Sequence, residues 1–381
     1  MRVNVVSALD INGFGGLETY IRNLITKVSA SEHSICLNGG DDCSIPLKPT
    51  VWKARSKRLL PLMTRPPLRG AARWLARRWG RDWAQDLVAS HDVHHLVGTG
   101  WDLFGFPLVE AALQMGKVVT CWPAVHPFTW GDAPLDIDLY KGCTSVFCQS
   151  SDESRHLQRL GVPGDITNVL PCGSDKYPLP PECRAKAAKE FRDRFDLADR
   201  PLILFVGKRT RSKGYHQLVD SIRMLANGGT EVVLAAIGSE PDLPCKLLPN
   251  DCFRDLGAAS DKVKQAAFAA CDLFVLPSDA ESFGIVYVEA WSYSKPVICG
   301  TAPASRELVT THQGGVVSDG TARDVAAKIK MLLDDKGLRL MLGSNGHEAY
   351  QRYFTPDAVA ARHIDVWQRL IDQRQKPMRG G

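Results

Sequence analysis

Short apolar, β-branched runs alternate with longer stretches of 3.6-residue periodicity along almost the whole chain, and few folds accept that pattern. Residues 3–8, 35–38, 93–97, 118–121, 146–149 and 167–170 read as strands in the first half, and 202–206, 232–237, 273–276 and 297–299 in the second. The stretches between them read as helices. Continuously apolar strands separated by helices are β-α-β units, which build a parallel sheet covered on both faces. At 381 residues the chain is long for one such core and ample for two. The expected division is a first domain over 1–175, a second over 176–355 and a closing helix with a frayed tail over 356–381. The break is signalled by CGSDKYPLPP at 172–181, with a glycine and three prolines, and the tail by apolar residues at Val359, His363, Val366, Trp367 and Leu370.

Apolar residues make up 44% and charged residues 23%, ordinary for a globular protein. Cysteines such as Cys36, Cys121, Cys148, Cys271 and Cys299 lie mostly in apolar runs without metal-ligand spacing, so they read as reduced core residues. The opening residues turn to glycine too early for a signal peptide, and no run reaches the roughly 20 apolar residues of a membrane span. A cytoplasmic location is expected. The formal charge of +5 is uneven: residues 51–81 hold ten Lys or Arg and no acid, leaving 37 basic against 42 acidic side chains elsewhere. Within that block Leu68, Ala72, Leu75, Trp79 and Trp83 could form an apolar helix face, with Arg69, Arg73, Arg77 and Arg81 as an adjacent cationic stripe. That face either packs into the domain or meets an anionic membrane, extended by Lys53, Arg55, Lys57 and Arg58, which would place the protein peripherally at the inner face of the plasma membrane. No nucleic-acid reader motif accompanies the block, so nucleic acid is not an expected partner.

Doubly wound sheets bind ligands beyond the carboxyl ends of their strands. Three glycine- or charge-rich segments fall there. Gly13, Gly15, Gly16 and Glu18 follow the first strand and open a helix, either as a plain tight turn or as a backbone approach to an anion. Their spacing is not a dinucleotide fingerprint. Lys208, Arg209, Arg211 and Lys213 follow the first strand of the second half; a solvated loop is one reading, a diphosphate site the other. Glu281 and Glu289 bracket Phe283, Gly284, Ile285 and Val286 at a helix start, where carboxylates could accept from sugar or ribose hydroxyls and the intervening N–H groups receive phosphate.

GGLE, the G-K-x-x-x-x-K-G loop and ESFGIVYVE resemble, in order and spacing, the GGxE, G-R-x-x-x-x-K-G and E-x7-E motifs of glycosyltransferase family 4. The passages around Gly161-Val162-Pro163, CDLFVLPSDAESFG and YSKPVICG are similar to further segments of that family, and the likeness spans about residues 1–330. The resemblance implies the α/β GT-B fold, two Rossmann-like parallel-sheet lobes facing a central cleft. It implies a retaining transfer of sugar from a nucleotide-diphospho-sugar to a glycan or lipid-linked acceptor, in bacterial polysaccharide or glycolipid assembly. Residue by residue, Gly15 and Gly16 would approach the donor phosphate and acceptor, Lys208 and Lys213 would neutralise the diphosphate, Glu281 would engage the transferred sugar and Glu289 the ribose. The segment around Leu256 and Gly257 would border the base. Lys208 stands where the family usually has Arg, which keeps charge but loses the bidentate fork. In VVTCWPAVHPFTWGD, His126 is the acceptor-side candidate, although the family's commoner spacing would place a histidine at Trp122. Asp136 and Asp138 form an Asp-x-Asp outside the context of the metal-dependent transferases, so neither a metal nor another cofactor is expected. A nucleotide-sugar epimerase and a non-catalytic nucleotide-sugar binder remain as alternatives.

Overall fold

The computed structural model describes residues 1–7, 16–38, 49–127, 130–174, 177–239 and 251–375. They form two compact units, Met1–Cys172 with Pro356–Gly381, and Gly173–Thr355. In the first unit, strands β1 (Arg2–Ser7), β2 (Ser34–Asn38), β3 (Val93–Val97), β4 (Val118–Trp122), β5 (Ser145–Cys148) and β6 (Thr167–Val169) make one sheet in the order β2-β1-β3-β4-β5-β6. Every neighbouring pair is parallel. Helices α1 (Gly16–Ser29), α2 (Pro49–Met63), α3 (Arg69–Ala89), α4 (Gly105–Gln114), α5 (Pro134–Tyr140) and α6 (Ser151–Arg159) accompany it.

The second unit repeats the plan. Strands β7 (Leu202–Val206), β8 (Val233–Ile237), β9 (Phe253–Gly257), β10 (Leu273–Leu276), β11 (Val297–Cys299) and β12 (Gly315–Val317) pair in parallel in the order β12-β11-β10-β7-β8-β9. Its helices are α7 (Pro181–Arg194), α8 (Tyr215–Asn227), α9 (Asp261–Ala270), α10 (Ile285–Ser292), α11 (Pro303–His312), α12 (Ala322–Asp334) and α13 (Lys336–Ala349). The two edge strands, β9 and β12, were not legible as strands; Arg254 and Asp255 interrupt one, and the other is three residues long. The central strands β7, β8 and β10 are wholly buried, which is why they read as unbroken apolar runs.

The last helix, α14 (Pro356–Gln375), returns to the first unit and packs on α1. A directional chain of hydrogen bonds fixes it there. His363 Nδ1–H donates to the Val359 carbonyl at 2.8 Å, which leaves Nε2 to accept from the Tyr20 hydroxyl at 2.7 Å. The Tyr20 oxygen therefore accepts from His95 Nε2–H at 3.0 Å, and His95 Nδ1 accepts from the Thr120 hydroxyl at 2.9 Å. The Thr120 oxygen accepts the Trp367 indole N–H at 3.3 Å. Burial holds both imidazoles neutral, pushing His363 down to about 4 and His95 well below its ordinary range. This accounts for His95 in the middle of the buried strand VHHLV; its neighbour His94 is paired with Asn4 of β1 at 3.3 Å.

Helix α3 buries part of the expected apolar face, since Ala72 lies in the core and Leu75 and Trp83 pack against it, and adds a stripe of small residues. Ala72, Ala76, Gly80, Ala84 and Val88, four apart, lie against the core, and α4 is its main neighbour. A Cβ on Gly80 would sit 2.5 Å from Pro107 Cγ, so small side chains allow the close approach. Trp79 and Leu68 of the expected apolar face are more than a third exposed, and Trp74 is 60% exposed. The expected cationic stripe is partly paired: Arg73 lies 2.9 Å from Asp138 and Arg77 3.4 Å from Glu110. Cys121, Cys148, Cys271 and Cys299 are buried thiols, and Cys36 is half-buried with its sulfur 3.1 Å from His91 Nε2.

Candidate active site

In the second sheet the chain runs outward through β7, β8 and β9, then restarts beside β7 at β10 and runs the other way. The switch point lies between β7 and β10, the place at which doubly wound sheets bind ligands beyond their strand ends. Both charged motifs of this half occupy those two loops. The loop after β7 ends at Gly214, whose φ of 69° and contact with the Pro277 carbonyl exclude any Cβ. The loop after β10 ends at Gly284, which has φ 86° and no room for a Cβ beside the Tyr287 ring. The two loops are stitched together: the Ser212 carbonyl accepts from the Ser278 hydroxyl at 3.0 Å and from the Asp279 N–H at 3.1 Å.

That stitching sets Lys213 Nζ 2.7 Å from Glu281 Oε1, with a second donation to the Ala280 carbonyl at 3.2 Å. An ammonium has three donors, so one remains for an anion. Glu281 is only 10% exposed in this pair. Lys208 is exposed and has no ion-pair partner among the described residues. Arg209 behaves differently from its neighbours in the basic loop. It is buried, donates to the Gly238 carbonyl at 3.0 Å and pairs with Asp255 of β9 at 2.7 Å, so its charge holds the sheet edge.

After the loop, α10 begins at Ile285 with Gly284 as a cap that offers no side chain, so the N–H groups of Ile285 and Val286 open the helix uncapped. Phe283 is buried, its ring 5.8 Å from Phe354. Glu289, one turn further on, is 8% exposed and lies 2.6 Å from Lys264 Nζ on α9. Each carboxylate of E-x7-E is thus paired with a lysine from a different element. Lys264 escaped sequence reasoning because nothing in DKVKQ marks one lysine from the other; only the packing of α9 selects it. Leu256 and Gly257 end β9, where Gly257 N–H donates to Asp255 at 2.9 Å.

In the first unit, Gly15 lies outside the described residues and Gly16 is the first residue of α1. His126 is exposed, in the loop after β4. That loop is braced at Val125, Gly131 and Asp132. Ala124 holds a left-handed φ of 49°; Val125 N–H donates to Glu153 Oε1 at 2.8 Å; Tyr140 donates to the Gly131 carbonyl at 3.0 Å; and Asp132 lies 3.1 Å from His156 Nε2. Glu153 also accepts from Gln149 N–H at 2.5 Å. Burial pushes its carboxyl up to about 7, against the opposing pull of those two N–H groups. Trp122 is buried and stacks on Tyr20 at 4.0 Å, so it is a core residue. Asp136 is buried at the start of α5, accepting from Gly100 N–H at 2.7 Å and Ala133 N–H at 3.0 Å, and burial raises it to about 6. Asp138 pairs with Arg73, so the Asp-x-Asp is committed to the fold.

Two doubly wound parallel sheets, with E-x7-E and a basic loop at the switch point of the second, define the GT-B class of glycosyltransferases. The family model described as "Glycosyl transferases group 1" matches residues 188–349. The chain is 30% identical over 295 residues to the D-inositol 3-phosphate glycosyltransferase of Xylanimonas cellulosilytica, covering 73% of this chain and 69% of that one. It is 28% identical over 304 residues to a GDP-mannose-dependent alpha-(1-6)-phosphatidylinositol monomannoside mannosyltransferase of Mycobacterium tuberculosis, covering 73% and 77%. In fold it is similar to Anabaena HepE, solved in complex with UDP, with a TM-score of 0.71 at 18% identity over 97% of this chain and all of that one. The chain belongs to the group 1 glycosyltransferases, those of family 4 type, and is an enzyme that transfers a sugar from a nucleotide sugar.

Proposed function

We propose that the donor is a nucleotide-diphospho-sugar held at the β7/β10 switch point. The observation behind this is the pair of stitched loops that brings Lys213, Glu281 and the uncapped start of α10 together. The third Lys213 donor, Lys208 and the N–H groups of Ile285 and Val286 neutralise the diphosphate as it leaves. Glu281 engages the hydroxyls of the transferred sugar and Glu289 those of the ribose. Positive charge and helix-end amides supply what a divalent ion would otherwise supply, so transfer runs without metal. The acceptor side is the loop of His126. Transfer keeps the anomeric configuration, by departure of the diphosphate and attack on the same face, with the leaving phosphate taking the acceptor proton.

The acceptor class follows from α3. Trp74, Arg78 and Arg81 recur at i, i+4 and i+7 on the side away from the buried small residues, and no acid lies between residues 49 and 81. No described helix is long and apolar enough to cross a membrane. An exposed indole beside cations instead suits adsorption to an anionic lipid surface, where a lipid-linked acceptor of bacterial glycan assembly resides.

The test is incubation of the purified protein with a panel of UDP-, GDP- and ADP-sugars in excess chelator, scoring donor cleavage and the anomeric configuration of the product by NMR. Metal-free cleavage lost on Glu281→Gln supports the reading. Activity only after adding manganese, or an inverted product, overturns the corresponding part.

A further inference from the structure

We infer that Trp130 is a stacking platform for a pyranose ring of the acceptor, working beside His126; this rests on reading the loop after β4 as the acceptor side. His126 and Trp130 form a hydrogen-bonded antiparallel pair, His126 N–H to Trp130 O at 3.0 Å and Trp130 N–H to His126 O at 2.9 Å. Directly opposed residues in such a pair project their side chains to the same side. An imidazole and an indole thus share one face of the loop, and both are exposed, Trp130 by 48%.

A single exposed aromatic residue is ordinary on a protein surface. The support beneath this one is not. The loop keeps Ala124 in a left-handed conformation that strains a residue with a Cβ. It also takes the buried Glu153 carboxylate, the Tyr140 hydroxyl and the Asp132–His156 contact to hold Val125, Gly131 and Asp132 in place. Strain and a buried carboxylate are costs the fold sustains only where backbone position matters. What they position is a large flat apolar surface with a polar ring at its edge. The C–H face of a pyranose fits the first and its hydroxyl rim the second, so the chemistry is that of carbohydrate recognition, with the apolar contact on the indole and a hydrogen bond to the imidazole.

Saturation-transfer NMR on the full chain, with the methyl α-pyranosides of glucose, galactose and mannose as probes, tests the inference. Transfer to the ring C–H protons of at least one glycoside is expected. Trp130→Ala should weaken that binding about tenfold at unchanged melting temperature, and Trp130→Phe should restore most of it. No transfer to any of the three from the unaltered protein, or equal transfer in Trp130→Ala, overturns the platform. A parallel titration with UDP and GDP separates the two readings: glycoside results against the platform with an intact nucleotide response leave the donor site standing, whereas absence of any nucleotide response removes the donor site instead.

Discussion

Lys213 Nζ and Glu281 Oε1 lie 2.7 Å apart, although 68 residues separate them in sequence. The pair joins the group assigned to the diphosphate with the group assigned to the transferred sugar, so the two roles should be coupled but separable. Lys213→Ala should weaken a nucleoside diphosphate by roughly 1.5–3 kcal/mol and the bare nucleoside by much less. Glu281→Gln should lower kcat more than nucleotide affinity. Calorimetric titration of both ligands against both variants decides it; equal losses for diphosphate and nucleoside count against a phosphate role.

Lys264 should act as a positioning residue through Glu289. Removing it as Lys264→Met leaves a largely buried carboxylate without its 2.6 Å partner. Nucleotide KM should rise about tenfold while kcat changes little, and Lys264→Arg should recover part of the loss. A fall in kcat at constant KM would show that Glu289 serves the reacting sugar and not the ribose.

The buried Glu153 makes the His126 loop sensitive to pH. Its folded value of about 7 lies above the ordinary carboxyl range, so the unfolded chain releases this proton first. Its stabilising contribution is full below about 4.5 and is lost as pH rises through about 7. Glu153→Gln removes that dependence. The stability of the variant, followed by melting curves, should therefore gain on that of the unaltered protein between pH 5 and 8 by a free energy on the order of 3 kcal/mol. Parallel melting curves across that interval would refute the raised value.

Adsorption to membranes should follow the exposed face of α3 and ignore the paired one. Trp74→Ala with Arg78→Gln and Arg81→Gln should abolish co-sedimentation with anionic vesicles at low salt, each cation contributing about 1 kcal/mol. Arg73→Gln, which breaks the contact with Asp138, should leave sedimentation nearly unchanged and lower stability slightly. If Arg73→Gln matters as much as Arg78→Gln, the surface has been misplaced.

The central strands of both sheets were legible because burial on both faces demands an unbroken apolar run. The edge strands β9 and β12 were not, since an edge tolerates Arg254 and Asp255 and needs few residues. The motif residues Lys213, Glu281 and Glu289 could be placed after their strands from sequence, because a doubly wound sheet dictates where its loops lie. Their partners could not. Lys264 with Glu289, Arg209 with Asp255, and Glu153 with Val125 meet only through tertiary packing, and nothing in the local sequence marks any of these partners. On α3 the expected apolar face was legible at Ala72, Leu75 and Trp83, but the stripe of Ala76, Gly80 and Ala84 beside it was not, and its close packing leaves Trp79 more than a third exposed.

The chain of hydrogen bonds from Trp367 through Thr120, His95 and Tyr20 to His363 bears on biogenesis. The first unit is discontinuous, so during synthesis part of the α1 surface and His95 of β3 stay unsealed until the intervening second unit and α14 have left the ribosome. A nascent chain stalled before α14 would therefore hold a finished second unit and an unfinished first one, and it is the first unit that a C-terminal truncation should deliver to chaperones and proteases.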